Sequence, residues 1–295
     1  MLASLLAAGA FALASTARAE QQPTVEWNDD QYRRIRWPEG VASLALVGGA
    51  VAIDQLPYPD HVGWRGPILF DDGARDLLRA RDPRASHLAS VWSDNLFYGM
   101  AVAPFVIDNY LVALGVHQST DVSMQLTLID LQAFGFAGVI TLGTEHLVAR
   151  ARPPFSDCSG LDSTDPRCNL RDDYRSFYAG HPAATFTAAG LTCAHHQHLP
   201  LYGGGAADVV PCVVMVGLAT TTSMLRIVAD RHWSSDVLVG VAVGIGSGYF
   251  LPSILHYGMF GTKKVDTTVH TSYGSFTPTP LAFMKGGGLG VAAVF

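Results

Sequence analysis

DVVPCVVMVGLATTTSMLRIVADRHWSSDVLVGVAVGIGSGYFLPSILH, residues 208–256, holds two apolar runs, 208–225 and 235–256, on either side of a short polar connector. Each run approaches the roughly 20 residues that an apolar helix needs to cross a bilayer. Further out, four more apolar stretches lie near 41–56, 96–116, 124–144 and 183–197, the first and fourth of them short. Asp108, Asp130 and Gln132 interrupt two of these stretches, which fits helices packed on one another better than helices surrounded by lipid. The expectation is an all-α bundle of about six core or transmembrane helices. A soluble bundle with long core helices is the alternative. With six helices, the connecting segments 57–95, 150–182 and 226–234 share one face. Within the first of them, Asp71 to Arg84 has helical spacing, with Leu77 and Leu78 apolar among Arg75, Asp76, Arg79 and Arg81. That segment reads as a surface or interfacial amphipathic helix.

Composition points the same way. Apolar residues make up 49% of the chain and charged residues 15%, against about 25% charged in ordinary soluble domains. A net charge of -6 offers no basic face for nucleic acid. Residues 1–19 read as an export segment: Leu2 to Ala14 is apolar, and Ala17-Arg18-Ala19 is a small-x-small cleavage site. No Lys or Arg precedes the apolar run, so an uncleaved anchor is the alternative. Residues 20–40 form a polar segment, 41–260 the helical domain, and 261–295 a Thr-, Pro- and Gly-rich irregular tail, strand-like at most. Gly286-Gly287-Gly288 lacks the Lys-Ser/Thr of a phosphate loop and reads as a turn. Cys158 and Cys168 bracket a polar loop and are a disulfide candidate in an oxidising compartment, or else two free thiols. Cys193 and Cys212 lie in apolar stretches and read as buried free thiols. His195, His196 and His198 read as a polar helix end, with zinc or copper binding the lesser reading. Asp130 and Glu145 are conceivable as a proton pair inside the bundle, though hydrogen-bonded helix residues are the plainer reading.

Three segments carry chemistry. In Arg226 to Asp236, Asp236 follows His232 by four residues, which on a helix places both on one face. The carboxylate would then accept the Nδ1 proton and leave Nε2 as a nucleophile or base, with Arg226 offering a planar fork to phosphate oxygens. Read alone, the segment equally fits a His–Asp pair capping a helix beside a solvated arginine. Gly180-His181-Pro182 opens an apolar stretch; backbone N–H groups at such a helix start favour an anion, and a histidine there can protonate a leaving oxygen. Arg150-Ala151-Arg152-Pro153 closes another stretch, where arginines ordinarily snorkel to the interface.

Taken together and in this order, the three segments resemble the type 2 phosphatidic acid phosphatase (PAP2) superfamily, which includes bacterial acid phosphatases and vanadium haloperoxidases. Arg152-Pro153, Gly180-His181, and Arg226 with His232 and Asp236 match its pattern, over about 120 to 256. Departures are Glu145 at the family's lysine, Tyr178 and Ala179 at its Pro-Ser, and Leu225 at the serine before the arginine. Each lost charge-assisted contact costs about 1.5–3 kcal/mol, which Arg150 or Arg231 would have to offset. The resemblance implies that His232 attacks phosphorus to form a phosphohistidine, that Asp236 orients it, and that His181 protonates the leaving oxygen. It further implies that Arg152, Arg226 and the Gly180 amide bind the oxygens, with no metal and no cofactor. The expected partners are a membrane and a phosphorylated lipid or small phosphomonoester, with the site on the extracytoplasmic face. A degenerate phospholipid-binding protein and a vanadate-dependent haloperoxidase are the alternatives.

Overall fold

A computed structural model describes residues 25–57, 62–156, 174–259, 269–271, 274–283 and 286–294. The export segment and the Cys158–Cys168 pair lie outside the described residues. The helices are α1 (Trp37–Asp54), α2 (Asp71–Leu78), α3 (Pro83–Ala103, continued by a π-helical stretch Pro104–Val116), α4 (Thr120–Val148), α5 (Pro153–Ser156), α6 (Gly180–His198), α7 (Ala206–Val228), and α8 (Ser234–Ile245). The π-helical turn Gly246–Phe250 then joins α8 to α9 (Leu251–Leu255). The all-α bundle expected from the apolar stretches is the fold of the helical domain.

Local chemistry sets the boundaries. The single helix expected over 71–84 is two: α2 stops at Arg79 (φ -62°, ψ 139°), and Pro83 opens α3 behind an extended Asp82. A proline disfavours helix in the residue before it but suits the first helical turn. The Asp82 carboxylate caps α3 by accepting from the Arg84 N–H at 3.2 Å. Ser119 caps α4 in the same way, through Val122 N. The polar segment expected over 20–40 is partly buried: Val25, Trp27, Tyr32 and Ile35 pack with Val112, Leu199 and Tyr257. Helix α1 begins at Trp37, earlier than its apolar run.

Helix α6 is the axis of the bundle and touches α3, α4, α7 and α8. Its small residues let neighbours approach closely, as helix interfaces in membranes favour. Opposite them, α8 and its continuation place Gly240, Gly244 and Gly248 on one stripe. A Cβ at these positions would lie 2.4 Å from the Ala179 carbonyl oxygen, 2.5 Å from that of Ala183 and 2.1 Å from that of Thr187. Only glycine permits that seam.

Four helical stretches, Pro83–Val116, Thr120–Val148, Ala206–Val228 and Ser234–Leu255, are long and apolar enough to cross a membrane. Exposed Val91, Trp92, Ile107, Met124, Val213 and Leu238 lie on their outer faces, a surface that lipid would cover.

Cys193 and Cys212, read as free thiols, form a disulfide between α6 and α7. They lie at similar distances from the turn that joins these antiparallel helices, so they meet. Nearby, His195 bonds Asp130 and Tyr257, and His196 lies between Asp108 and Asp208. These histidines are partners of carboxylates; no group of side chains suited to a metal occurs among the described residues. Asp130 also accepts from Asn109 and belongs to this network, whereas Glu145 pairs elsewhere. The tail, expected to be irregular, pairs as an antiparallel sheet of β1 (Val269–Thr271), β2 (Gly274–Phe283) and β3 (Gly286–Val294). Pro278 and Pro280 of the central strand lie past Phe276, where β1 ends and one edge of β2 opens, the place where a strand tolerates residues without an N–H.

Candidate functional site

The C-termini of α1, α4 and α7 and the N-termini of α3, α6 and α8 meet at one end of the bundle, the face shared by the three connecting segments. They enclose a cavity of about 630 Å³ whose lining includes Arg152, Arg175, Arg226, Arg231, His181, His232, Gly180, Glu145, Asp94 and Asp54. Phe97, Tyr98, Phe134, Ala137, Leu142 and Ala184 line it as well.

His232 lies in the connector between α7 and α8 and is 4% exposed. Its Nδ1 is 2.9 Å from the Ser176 carbonyl oxygen. A carbonyl only accepts, so Nδ1 carries the proton and Nε2 is the unprotonated nitrogen of the neutral ring. Burial, reinforced by Arg152 and Arg226, holds its pKa well below that of an ordinary histidine.

Asp236 does not accept from His232, contrary to the same-face expectation. Helix α8 starts only at Ser234, behind an extended Trp233 (φ -69°, ψ 152°), so His232 is outside the helix and helical spacing does not apply. The Asp236 carboxylate instead turns back to Trp233 N (3.2 Å), accepts from Ser176 Oγ (2.6 Å), and pairs with Arg150. It fixes the residue whose carbonyl orients His232, and so reaches the imidazole through Ser176.

Arg150 is not in the cavity. It is fully buried, bonded to Asp71 (2.8 Å), Asp236, Ser235 Oγ (2.9 Å) and the Gly66 carbonyl (2.9 Å). Its guanidinium lies 3.9 Å from the Trp64 ring centroid. It therefore cannot offset a missing phosphate cation; it ties α2 and α8 to the end of α4.

His181 stands in the first turn of α6, with Nε2 2.8 Å from Asp94 Oδ1. Burial lowers its pKa to about 4, helped by Arg226 and Arg152 and opposed by Asp94. Arg226 donates to the same Asp94 oxygen and to Ser93 Oγ, both at 3.1 Å. Arg152 reaches the Arg231 carbonyl at 3.3 Å. Gly180 packs tightly: a Cβ there would meet Thr141 Cγ2 at 3.3 Å and Glu145 Oε1 at 3.5 Å. Glu145 does face the cavity, and Arg175 clasps it through Nε (2.6 Å) and Nη2 (2.5 Å). The structure thus brings His181, His232, Arg152, Arg226, Gly180, Glu145 and Arg231 together, and sets Arg150 and Asp236 behind them.

Sequence reasoning missed Asp94, Ser176 and Arg175. Asp94 had a signal: with Ser90 and Ser93 it forms a polar strip at the head of an otherwise apolar run. Arg175 and Ser176 stand in a charged connector and have no pattern of their own.

A neutral imidazole facing several guanidiniums and a helix N-terminus is equipped to take up a tetrahedral oxyanion and attack its centre. The fold thus places a cavity rich in arginine and histidine at the end of membrane-length helices. Residues 127–259 match the family model of the PAP2 superfamily. Over 106 residues the chain is 35% identical to a lipid A 1-phosphatase of Porphyromonas gingivalis. The aligned stretch covers 32% of this chain and 22% of that protein.

Proposed function

We propose that the chain is a membrane-bound phosphatase that hydrolyses a lipid phosphate or pyrophosphate through a phosphohistidine at His232. One observation carries the reading: a single cavity is lined both by arginines and histidines and by apolar residues, and Phe97, Tyr98, Phe134, Ala137 and Leu142 among the latter lie on α3 and α4, two of the membrane-length helices. A substrate with a phosphate head and a hydrocarbon tail matches both sets of residues. The phosphorylated lipid named for the Porphyromonas gingivalis relative is of that class.

In this reading the His232 Nε2 lone pair forms the N–P bond as the P–O bond to the lipid breaks. Protonated His181, its Nε2–H held by Asp94, gives the Nδ1 proton to the departing oxygen. Water then loses a proton to His181 and attacks phosphorus, the N–P bond breaks, and its electron pair returns to His232. Arg152, Arg226 and the Gly180 amide stabilise the equatorial oxygens, which is the largest contribution in such transfers. Asp236 acts through Ser176. The site faces the extracytoplasmic side of the membrane.

Purified protein in detergent micelles is assayed for phosphate release from phosphatidate, a polyprenyl pyrophosphate and an aryl phosphate. Release is expected from the lipids, inhibited by vanadate, abolished in His232→Ala, with an acid-labile phosphoprotein trapped on quenching. Full activity in His232→Ala would sink the assignment. Halide oxidation appearing only with added vanadate would replace it with the haloperoxidase reading.

A further inference from the structure

Beside the residues used above, the cavity wall holds an acid and a base locked together. Arg175 directs Nε and Nη2 onto one oxygen of Glu145, and its Nη2 is 3.7 Å from Asp54 Oδ1. Carboxylates from the ends of α1 and α4 thus fix one guanidinium, which lines the cavity with Arg152, Arg226 and His232. Its backbone is equally fixed. The next residue, Ser176, donates its N–H to the Arg150 carbonyl and its hydroxyl to Asp236, and accepts from His232. Arg175 is therefore as firmly placed as the imidazole.

Glu145 needs this partner. Its other oxygen, Oε1, lies against Gly180, at the head of α6 where an anion would bind. A lone carboxylate there would repel a phosphate dianion. Clasped by arginine, it becomes an anchor that turns a planar cation toward the same place.

We propose that Arg175 is a phosphate-binding cation of this site and that Glu145 is its positioning residue. The inference rests on reading the cavity as a phosphate site. Glu145, which stands where the resembling family has a lysine, is then a relocation of the positive charge: a connector arginine held by an acid takes the place of the lysine.

Binding and turnover are measured separately on the full chain in detergent. Calorimetric titration with inorganic phosphate reports binding, and phosphatidate hydrolysis reports turnover. Arg175→Gln is expected to weaken phosphate binding about tenfold to a hundredfold, the loss of one charge-assisted contact. Glu145→Gln is expected to weaken it too, although it removes a negative charge. The double variant should be no weaker than Arg175→Gln alone. Glu145→Lys in the Arg175→Gln background, which moves the cation to the helix, should restore binding. Thermal melts check folding. If Arg175→Gln does not fold, the direction of the Glu145→Gln effect decides. Tighter phosphate binding in Glu145→Gln, or wild-type binding in a folded Arg175→Gln, overturns the proposal. Wild-type protein that binds no phosphate overturns it and the phosphatase reading together. Phosphate binding with the expected variant losses but no turnover supports the proposal and removes only the phosphatase reading.

Discussion

Asp94 links two groups that the sequence leaves unrelated. One of its oxygens takes the His181 Nε2–H and an Arg226 Nη1–H, so it can stabilise imidazolium while holding the arginine in place. A proton donor matters most when the leaving oxygen is a poor leaving group. Asp94→Asn is therefore expected to lower kcat for phosphatidate about a hundredfold and to affect an aryl phosphate far less. Equal losses for both substrates would assign Asp94 to structure alone. A second expectation concerns pH. Burial comes first in lowering both His232 and His181, and Arg152 adds to it. Both rings are held toward the neutral form, and in the proposed mechanism a bound dianion, opposing the arginines, draws a proton onto His181. Arg152→Gln removes a cation and so raises the His232 pKa. In the proposed mechanism kcat/KM needs neutral His232, so activity is expected to be lost as pH falls through that value, and the acid limb should move to higher pH. A limb that stays put would remove Arg152 from the surroundings of His232. At this scale the sequence shows its reactive groups only where they are close together in the chain: Arg226, His232 and Asp236 stand within one segment. Asp94 and Arg175 come from other connectors, and the link between His232 and Asp236 was misread because the helix begins between them.

Whole elements were easier to read, since apolar runs of membrane length leave few alternatives. Pro83, following the polar Asp82, marks a division of the segment 71–84, because a proline disfavours helix in the residue before it. The Cys193–Cys212 pair was also within reach once the turn between α6 and α7 is taken as a hairpin. That bridge closes a separation of 19 residues, for which the loss of unfolded-chain freedom contributes about 3 kcal/mol. Reductant should lower the thermal midpoint of the wild type more than that of Cys193→Ala/Cys212→Ala; equal response of both would mean the bridge is not formed. The glycine seam is less forgiving. Gly244→Leu would drive a side chain into the Ala183 carbonyl and Phe186 Cβ, 2.5 and 2.6 Å from its first atom, forcing α8 off α6. Since α6 bears His181 and α8 follows His232, both folding yield and activity should collapse. Gly217→Leu, where no atom lies within 4 Å, should retain both. If Gly244→Leu assembles normally, close helix approach is not what positions the site.

For the molecule as a whole, the arrangement of the cavity matters more than any one contact. Arginines and histidines gather where the helix ends meet, and apolar residues of α3 and α4 line the same cavity, with Tyr98 among them reaching the exposed surface. No single stretch of sequence encodes that combination, since Tyr98, Phe134 and Leu142 read only as ordinary apolar helix residues. Tyr98 offers a clean test. It lines the cavity yet is 68% exposed, so replacing it should leave the fold intact. Each methylene removed from water contributes about 0.8 kcal/mol, and a charge beside the chain would forfeit several of these contacts. Tyr98→Asp is therefore expected to raise KM for long-chain phosphatidate about tenfold or more with little change in kcat. The same variant should hydrolyse a short-chain phosphatidate or an aryl phosphate as the wild type does, because neither reaches the apolar residues. Parallel losses on all three substrates would show that Tyr98 supports the charged residues. An unchanged KM on every substrate would show that the lipid chain leaves the site by another route, and the match between cavity and amphiphile would no longer argue for a lipid substrate.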